Sequence, residues 1–486
     1  MIDEALQAEP SVTALGLLLL ICMGTLTWVL PREKALFPLL ITTCYIPLGQ
    51  TFVFAGLHFQ FFRIVLLIGW LRIWIRGEAV GLRLSAVDKL FVLWGATTLV
   101  MGFFTNPSLD RLVNRGGELY NALGSYFLVR CWVRNLGDLT GSLKFLAVMI
   151  SPLAVSMMVE KFTSRNIFAV LGGVPEITFI REGKLRCQGA FRHPILAGTY
   201  AATLFPLLVG LWFTGRQHRR VAFLGIGCAI IATVAAASSG ALLALIGVGV
   251  GFSLWPLRYR MRWFRWGVVI LLMALGVAMT PPVWYLIAKI SDITGGTGWH
   301  RSYLIDMAVE HFDEWWLAGS TYTAHWAPAG IVLPNDPNNM DITNHYIAEG
   351  LAGGILKLGL FLALIVKCFK TVGQSMRLPE SAALPRGMLI WSVGVCLSAH
   401  CLSFISVSYF DQIVVMWYWL LAIVSILALE CEISSQTSEG FQSAAGLGNA
   451  SLPPSHQPAP DSPPGSHLDP PLPVATPQRA ATQKSA

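Results

Sequence analysis

Long apolar stretches separated by short polar segments run along most of this chain. Candidate membrane spans lie near residues 12–30, 36–54, 60–75, 87–104, 118–134, 139–160, 194–214, 221–237, 240–256, 267–288, 346–366, 387–408 and 412–430. As helices, such stretches are long enough to cross a bilayer core of about 30 Å. The pattern predicts an all-α polytopic transmembrane helix bundle of about 12–13 helices. Arg63, Arg72 and Arg130 weaken the third and fifth spans.

Composition supports this fold class and excludes a soluble globular one. Hydrophobic residues make up 54% of the 486 positions and charged residues only 13%, against about 25% charged in soluble domains. The net charge of +7 is expected to mark cytoplasmic loops, and no nucleic-acid partner is predicted. The nine cysteines lie mostly in apolar spans, so no disulfide framework is expected. The acidic start, MIDEALQAEPS, does not resemble a cleaved signal peptide.

Basic segments set the expected orientation. GRQHRR (215–220) and LRYRMRWFR (257–265) are rich in arginine, and short loops of this kind stay in the cytoplasm. This assignment places two long segments, 161–193 and 289–345, on the outer face. We divide the chain into N-terminal transmembrane helices (1–185), a core with the outer loop (186–370), C-terminal transmembrane helices (371–432) and a disordered Pro/Ser-rich cytoplasmic tail (433–486).

The outer loop 289–345 carries the most informative sequence. Apolar residues in GWHRSYLIDMAVEHFDEWWLAGS (298–320) recur at helical spacing, which predicts an amphipathic helix at the membrane–water boundary. A Gly/Pro/Asn-rich stretch follows that is too long for a simple connection. DITNHYIAEGLAGG (341–354) then leads into the next span, so His345 is expected at the outer mouth of that span.

Four segments resemble one family. GAFRHPILAGTYAATLFPLL (189–208), ASSGALLAL (237–245), the 298–320 segment and NHYIAEGLAGGILKLGLFL (344–362) resemble, in order, the O-antigen ligase and polymerase-related family. The resemblance covers about residues 185–370. It implies an integral glycosyltransferase, in a bacterial inner membrane with a periplasmic active face. Such an enzyme moves a glycan from an undecaprenyl-pyrophosphate carrier to an acceptor hydroxyl on a glycan or on lipid A-core. No cofactor and no metal are implied, and the only other partner is membrane lipid.

The resemblance assigns roles to particular residues. Arg301 matches the arginine that would grip the pyrophosphate, because a guanidinium binds two phosphate oxygens at once. His345 matches the family's histidine at the loop end, and an imidazole is a suitable general base for the acceptor hydroxyl. The remaining candidates are expected to bind substrate on the same face: Arg192, His193, Ser239, Asn344 and Glu310.

The chain departs from the family pattern at two places. Ser238-Ser239-Gly240 stands where the family commonly has Ser-Arg-Gly, so Arg192, Arg181 or Arg186 would have to supply the missing charge. His345 follows Asn344, whereas ligases more often show the reverse order. Both differences argue against a true lipid A-core ligase and leave open a polymerase or a divergent branch serving exopolysaccharide.

Structural explanations and other functions compete with these assignments. Arg301 could anchor an interfacial helix by snorkelling, His345 could simply begin a helix, and Lys357 could pair with Glu349 inside the eleventh span. His300 and His311 could share a helix face, but the sequence shows no familiar zinc spacing. A transporter or flippase of a solute or lipid-linked glycan is the alternative function, and an assembly subunit of an export complex is a third.

Overall fold

The structure is a computed structural model that describes residues 12–448 apart from residues 48, 55–56, 106, 182, 295–297 and 329–337. Four short strands form two antiparallel hairpins, β1 (Thr51–Phe54) with β2 (Leu57–Gln60) and β3 (Phe179–Arg181) with β4 (Lys184–Arg186). The helices are α1 (Ala14–Val29), α2 (Leu36–Tyr45), α3 (Phe61–Arg76), α4 (Ala86–Thr105), α5 (Leu109–Trp132), α6 (Leu136–Thr163), α7 (Pro194–Phe213), α8 (Arg219–Ala235), α9 (Ser239–Ser253), α10 (Met261–Ala278), α11 (Leu286–Thr294), α12 (Gly298–Glu310), α13 (Phe312–Trp315), α14 (His345–Ser375), α15 (Leu384–Phe404) and α16 (Gln412–Gly448).

The helices confirm the predicted fold class. Among the described residues, eight helices are long and apolar enough to cross a membrane, namely α4, α6, α7, α8 with its preceding turn, α10, α14, α15 and α16. Helices α1 and α9 are apolar but shorter. Helices α3 and α5, in which arginines were expected to weaken the span, are not among the eight. The chain is therefore an all-α, multi-pass membrane protein.

The predicted second span, 36–54, is wrong in its second half. Helix α2 ends at Tyr45, and Ile46 has an extended backbone (φ −94°, ψ 114°). Ile46 precedes Pro47, and the proline ring disfavours helical geometry in the residue before it. Beyond this point Thr51–Phe54 forms strand β1, so the apolar run belongs to two different elements.

The predicted tail boundary at 433 lies close to the limit of the first compact unit, which ends at Ser435, although the last helix extends beyond it. Helix α16 continues through Gly448, because no proline interrupts the sequence before Pro453. Residues 449–486 lie outside the described residues, so the expectation of disorder there stays a prediction. No boundary falls at 185 or 370, since the described residues up to 435 form one compact unit.

Small residues let the central helices approach closely. Helix α7 is buried along most of its length and packs against α8 and α15. A Cβ placed on Gly198 would lie 2.8 Å from the Cβ of Ala236 and 2.9 Å from that of Ala241. Close packing of small residues replaces the hydrophobic effect as the force between helices in lipid.

The helix ends define two faces of the bundle. We call the end that carries the described residues of 164–193, 286–344 and 405–411 the loop face. Contacts between distant segments join this face: Gln412 Nε2 donates to the Ala190 carbonyl at 2.9 Å, and the Cys187 N–H donates to the Ala235 carbonyl at 3.1 Å. The opposite end carries the arginines of 215–220 and 257–265, and we call it the basic face.

Helix α14 is broken where the outer loop docks onto it. Gly353 (φ −175°, ψ 30°) and Gly354 (φ 68°, ψ −168°) leave the helical region. The Ile355 N–H donates to the Trp316 carbonyl at 2.8 Å, and the Ser320 N–H donates to the Leu351 carbonyl at 3.0 Å. A Cβ on Gly354 would lie 2.4 Å from the Leu317 carbonyl oxygen, so only glycine allows this approach. The break fixes the segment after α13 against the bundle.

Candidate functional site

Arg301 is a buried cation that has no counter-ion among the described residues. It lies in α12 and is only 7% exposed. In the part of the chain that the structure describes, no carboxylate lies within ion-pair distance of its guanidinium. Burial lowers the pKa of Arg301, and the charge of Arg181 lowers it further. An uncompensated buried charge is costly, so this position favours the binding of an anion.

Two other buried arginines are paired with carboxylates. Arg72 lies 2.7 Å from Glu78, and Arg130 lies 3.0 Å from Asp88. The Arg130–Asp88 pair joins α5 to α4, whereas Arg72 of α3 pairs with Glu78 just beyond the end of its own helix. Arg301 therefore differs from them in having no such structural partner. Snorkelling does not describe it either, because a snorkelling side chain keeps its charged head in water.

The N-terminus of α9 lies beside Arg301. A Cβ placed on Gly240 would lie 2.5 Å from Ser406 Oγ and 3.8 Å from Arg301 Nη2. The N-cap residue, Ser238, makes no side-chain capping hydrogen bond, which leaves the first N–H groups of α9 without that partner. The partial positive charge of a helix N-terminus adds to that of a nearby guanidinium. Together they form a cationic position on the loop face.

Two further arginines lie near His193, and Arg192 pairs with a carboxylate. The charges of Arg186 and Arg181 act on His193, and that of Arg181 acts on Arg301. Arg192 Nη1 instead lies 3.7 Å from Asp411 Oδ2, and its side chain is 55% exposed. Burial raises the pKa of Asp411, and the nearby Arg192 opposes that rise. Of the three arginines considered as substitutes for the missing family arginine, Arg181 is the one whose charge acts on Arg301.

His193 caps α7. Its Nδ1 accepts a hydrogen bond from the Ile195 N–H at 3.1 Å. Burial, with the charges of Arg186 and Arg181, lowers the pKa of His193 from 6.5 to about 4. The ring is therefore neutral at pH 7 and adds no positive charge for a substrate. Its predicted role in substrate binding is untested, whereas its capping role is visible.

The lowered pKa of His193 predicts a pH-dependent stability. Below pH 6.5 the unfolded chain takes up a proton that the folded ring does not, so the free energy of unfolding falls as the pH drops from 6.5 to about 4. His193→Asn keeps a capping acceptor but does not titrate. We expect its melting temperature in detergent to fall less steeply than that of the unsubstituted protein over this window. Parallel curves would contradict the assignment.

His345 begins α14 and belongs to a buried polar network. The Tyr409 N–H donates to His345 Nδ1 at 3.2 Å, so the neutral ring carries its proton on Nε2. His345 Nε2 lies 3.7 Å from Glu349 Oε1. Glu349 Oε2 accepts from Trp94 Nε1 at 2.8 Å and lies 3.5 Å from Lys357 Nζ. The predicted ion pair between Lys357 and Glu349 is confirmed, and the same carboxylate faces the histidine.

This network lines a cavity of about 390 Å³. Charged side chains from several helices share its wall with His345 and Glu349: Arg63, Arg115, Glu118, Lys357 and Asp411. Ionisable residues at membrane depth are costly and usually serve a function. The cavity wall therefore carries several ionisable groups, unlike a gap between purely apolar helices.

A polar groove adjoins the cavity and shares Arg115, Glu118, Ala348 and Ala352 with it. The groove measures about 580 Å³. Its wall is rich in hydroxyl, amide and charged groups from α5 and the outer loop: Ser108, Asp110, Asn114, Ser320, Thr323 and Asn339. Groups of this kind suit a polyhydroxylated ligand better than a lipid tail.

The connection between α15 and α16 links Arg301 to His345. Ser406 packs against Gly240 beside Arg301, and the Tyr409 N–H reaches His345. Tyr409 stands three positions after Ser406, so their Cα atoms are at most about 11 Å apart. The two residues predicted to be catalytic are thereby brought to the same short segment, although they stand 44 positions apart in sequence.

The remaining predicted residues have mixed positions. Asn344 is the N-cap of α14, and its Oδ1 accepts from the Tyr346 and Ile347 N–H groups at 3.0 and 3.3 Å, so this oxygen is already occupied. Ser239 is half-buried in the first turn of α9. Glu310 is exposed at the end of α12. It lies nine residues from Arg301, which is about 13 Å along the helix and half a turn away, so the structure does not bring these two together.

Sequence reasoning missed Glu349 as a partner of His345, and it missed the connection that carries Ser406, Tyr409 and Asp411. One signal was present, because SVSYFD (406–411) is unusually polar for a turn between two apolar spans. The backbone conformation of Asp411, which has a positive φ of 54°, could not be read from the sequence. This geometry is uncommon outside glycine and often marks functional positions.

Neither protein-family models nor curated proteins give a match to this chain. The resemblance to the O-antigen ligase and polymerase-related family therefore stays a prediction from the four sequence segments.

Proposed function

We propose that this protein is a membrane-embedded glycan transferase. It moves a saccharide from an undecaprenyl-pyrophosphate carrier to an acceptor hydroxyl at the loop face. The observation that carries this proposal is Arg301, a buried guanidinium with no carboxylate partner among the described residues. A dianionic leaving group would supply the missing negative charge.

The donor pyrophosphate would bind between Arg301 and the first turn of α9. Arg181 adds a second positive charge within electrostatic range of Arg301. As the bond between the sugar carbon and the phosphate oxygen breaks, negative charge grows on the pyrophosphate. Fixed cations and helix N–H groups stabilise that charge more in the transition state than in the substrate.

The acceptor would enter through the polar groove and present its hydroxyl to His345. In the absence of substrate, the Tyr409 N–H occupies the Nδ1 lone pair of His345. The acceptor hydroxyl would replace this donor and pass its proton to Nδ1 as its oxygen attacks the sugar carbon. Glu349, on the Nε2 side of the ring, would stabilise the resulting imidazolium. In catalytic triads a carboxylate likewise faces the ring nitrogen that does not take the substrate's proton.

The orientation follows from the arginines of the basic face. Short segments rich in arginine remain in the cytoplasm, which would put the loop face in the periplasm if the membrane is a bacterial inner membrane. The pyrophosphate of a lipid carrier in the outer leaflet would then lie at the depth of Arg301 and His345. No cofactor or metal ion enters this mechanism.

Reconstitution tests the proposal directly. Purified protein in liposomes is supplied with an undecaprenyl-pyrophosphate-linked glycan and an acceptor glycan. We expect free carrier to be released and the acceptor to lengthen only when both substrates are present and the donor faces the loop side. Protein whose basic face alone meets the donor should be inactive. Release of carrier without any dependence on the acceptor, or no release at all, would refute transfer.

The broken helix α14 favours a second candidate. Discontinuous helices beside buried ionisable residues are typical of transporters, and the Gly353–Gly354 break lies near Glu349 and Lys357. A flippase would move the lipid-linked glycan between leaflets with the carrier still attached. The same liposomes separate the two functions, because translocation leaves the bond between glycan and carrier intact.

A further inference from the structure

A cluster of two histidines and one glutamate lies in the outer loop. None of the three residues takes part in the mechanism proposed above. His311, Glu314 and His325 each offer one possible ligand atom, and these three atoms lie within 4.8 Å of one another. Glu314 Oε1 and His325 Nε2 are only 2.9 Å apart. His311 immediately precedes α13 and Glu314 lies within it. His325 lies in the short helical turn Ala324–Trp326.

Neighbouring groups orient all three side chains. His311 Nδ1 lies 3.0 Å from the Met307 carbonyl oxygen, and a proton on Nδ1 leaves the Nε2 lone pair to the cluster. Trp326 Nε1 donates to Glu314 Oε2 at 3.2 Å, which leaves Oε1 on the cluster side. Tyr322 stacks on His325 with ring centroids 5.2 Å apart. Metal-binding histidines typically donate their second ring N–H to a carbonyl or carboxylate in this way.

From this geometry we propose that His311, Glu314 and His325 bind a divalent transition-metal ion, with Zn²⁺ as the best match. Two imidazole nitrogens and one carboxylate oxygen suit zinc and its neighbours, whereas Mg²⁺ and Ca²⁺ prefer oxygen ligands throughout. A tetrahedral ion with bonds of about 2.0–2.2 Å holds its ligands roughly 3.3–3.6 Å apart. The ligand atoms, which lie within 4.8 Å of one another, are therefore within about 1.5 Å of the required spacing, and a water or a ligand group would complete the coordination.

The ion would link Glu314 to His325 and so close a loop that contains the segment docked onto α14. Residues 316–320, which hydrogen-bond to the helix break, lie between Glu314 and His325. Ser320 and Thr323 of the same segment line the polar groove. Trp326, which is fully buried, anchors the returning turn, and the Tyr303 hydroxyl donates to its carbonyl at 2.7 Å. A bound ion would hold this wall of the groove in one position. The inference does not depend on the proposed transferase activity.

Metal titration of the full chain in detergent tests the site. A purification tag without histidine is used, and the protein is first stripped with a chelator. We expect calorimetry to show one Zn²⁺ bound per chain, and Zn²⁺ to raise the melting temperature. Co²⁺ in place of Zn²⁺ should give the visible absorption of a tetrahedral nitrogen–oxygen site.

Matched variants make the result specific. His325→Ala and Glu314→Gln should each abolish saturable binding and the thermal shift, and Glu314→Gln keeps the shape of the side chain if the alanine variant folds poorly. His300→Ala, on the same loop but outside the cluster, should bind like the unsubstituted protein. The site is refuted if the stripped protein binds no Zn²⁺, or if binding survives loss of His325 and Glu314 together. In either case the cluster is an ion pair alone.

Discussion

Replacing Arg301 by lysine is expected to reduce glycan transfer by about 10²-fold or more, since removing one preorganised donor to a developing charge costs this much in rate. Lysine keeps the positive charge but loses the planar fork that binds two phosphate oxygens at once. Arg301→Ala should be at least as damaging. The measurement is the initial rate of carrier release in the liposome assay, with the amount of folded protein matched by size-exclusion chromatography.

Arg165→Lys is the matched control for this experiment. Arg165 also lies on the loop face, but its side chain is 75% exposed and it pairs with Glu176 at 3.0 Å. Exposed ion pairs contribute little, so this variant should transfer glycan at the normal rate. The pairing argument also predicts that Arg301→Ala does not destabilise the fold, because removing an uncompensated buried charge relieves a penalty. Normal transfer by folded Arg301→Lys protein would remove the proposed donor site.

The helical fold was predictable because the physical constraint is local and strong. A stretch such as 387–408 must satisfy its own backbone hydrogen bonds in lipid, and only a helix does so within one segment. The prediction failed at 36–54, where hydropathy alone joined α2 to β1 across Pro47. The continuation of α16 to Gly448 was missed for a similar reason, because composition averaged over 433–486 hid a proline-free stretch before Pro453.

The candidate site was only partly predictable because it depends on contacts between distant segments. The sequence pointed to Arg301 and His345 through the family resemblance, yet nothing local indicates that Arg301 lacks a counter-ion. Glu349 lies one helical turn from His345, so that pair was open to inference from spacing. The positions of Arg181 and Tyr409 were not, since each reaches the site only after the bundle has assembled.

The metal cluster illustrates the same limit. His311 and Glu314 have a spacing that a turn of helix brings together, but His325 follows eleven residues after Glu314. No zinc motif has this pattern, so the sequence suggested no metal site. The fold places His325 there because Trp326 is buried beneath it.

The second large effect is expected at His345. His345→Ala removes the proposed base, and loss of general-base assistance costs about 10²–10⁴-fold in rate. Because the histidine is proposed to act on the acceptor, kcat should fall while binding of the lipid-linked donor stays near normal. His218→Ala, on the basic face, is the control and should leave transfer unchanged.

Substitution of Glu349 tests whether it acts through His345. Glu349→Gln should lower kcat, since the imidazolium at His345 loses the carboxylate that lies 3.7 Å from its Nε2. If Glu349 acts only through His345, then adding Glu349→Gln to His345→Ala should cost nothing further, which is the non-additivity expected of coupled residues. Independent effects would instead multiply, and the double variant would be slower than either single one. Multiplied effects would assign Glu349 a separate structural role with Lys357 and Trp94. A His345→Ala protein that transfers glycan normally at matched abundance would exclude the histidine as the base, and would leave it as the first residue of α14.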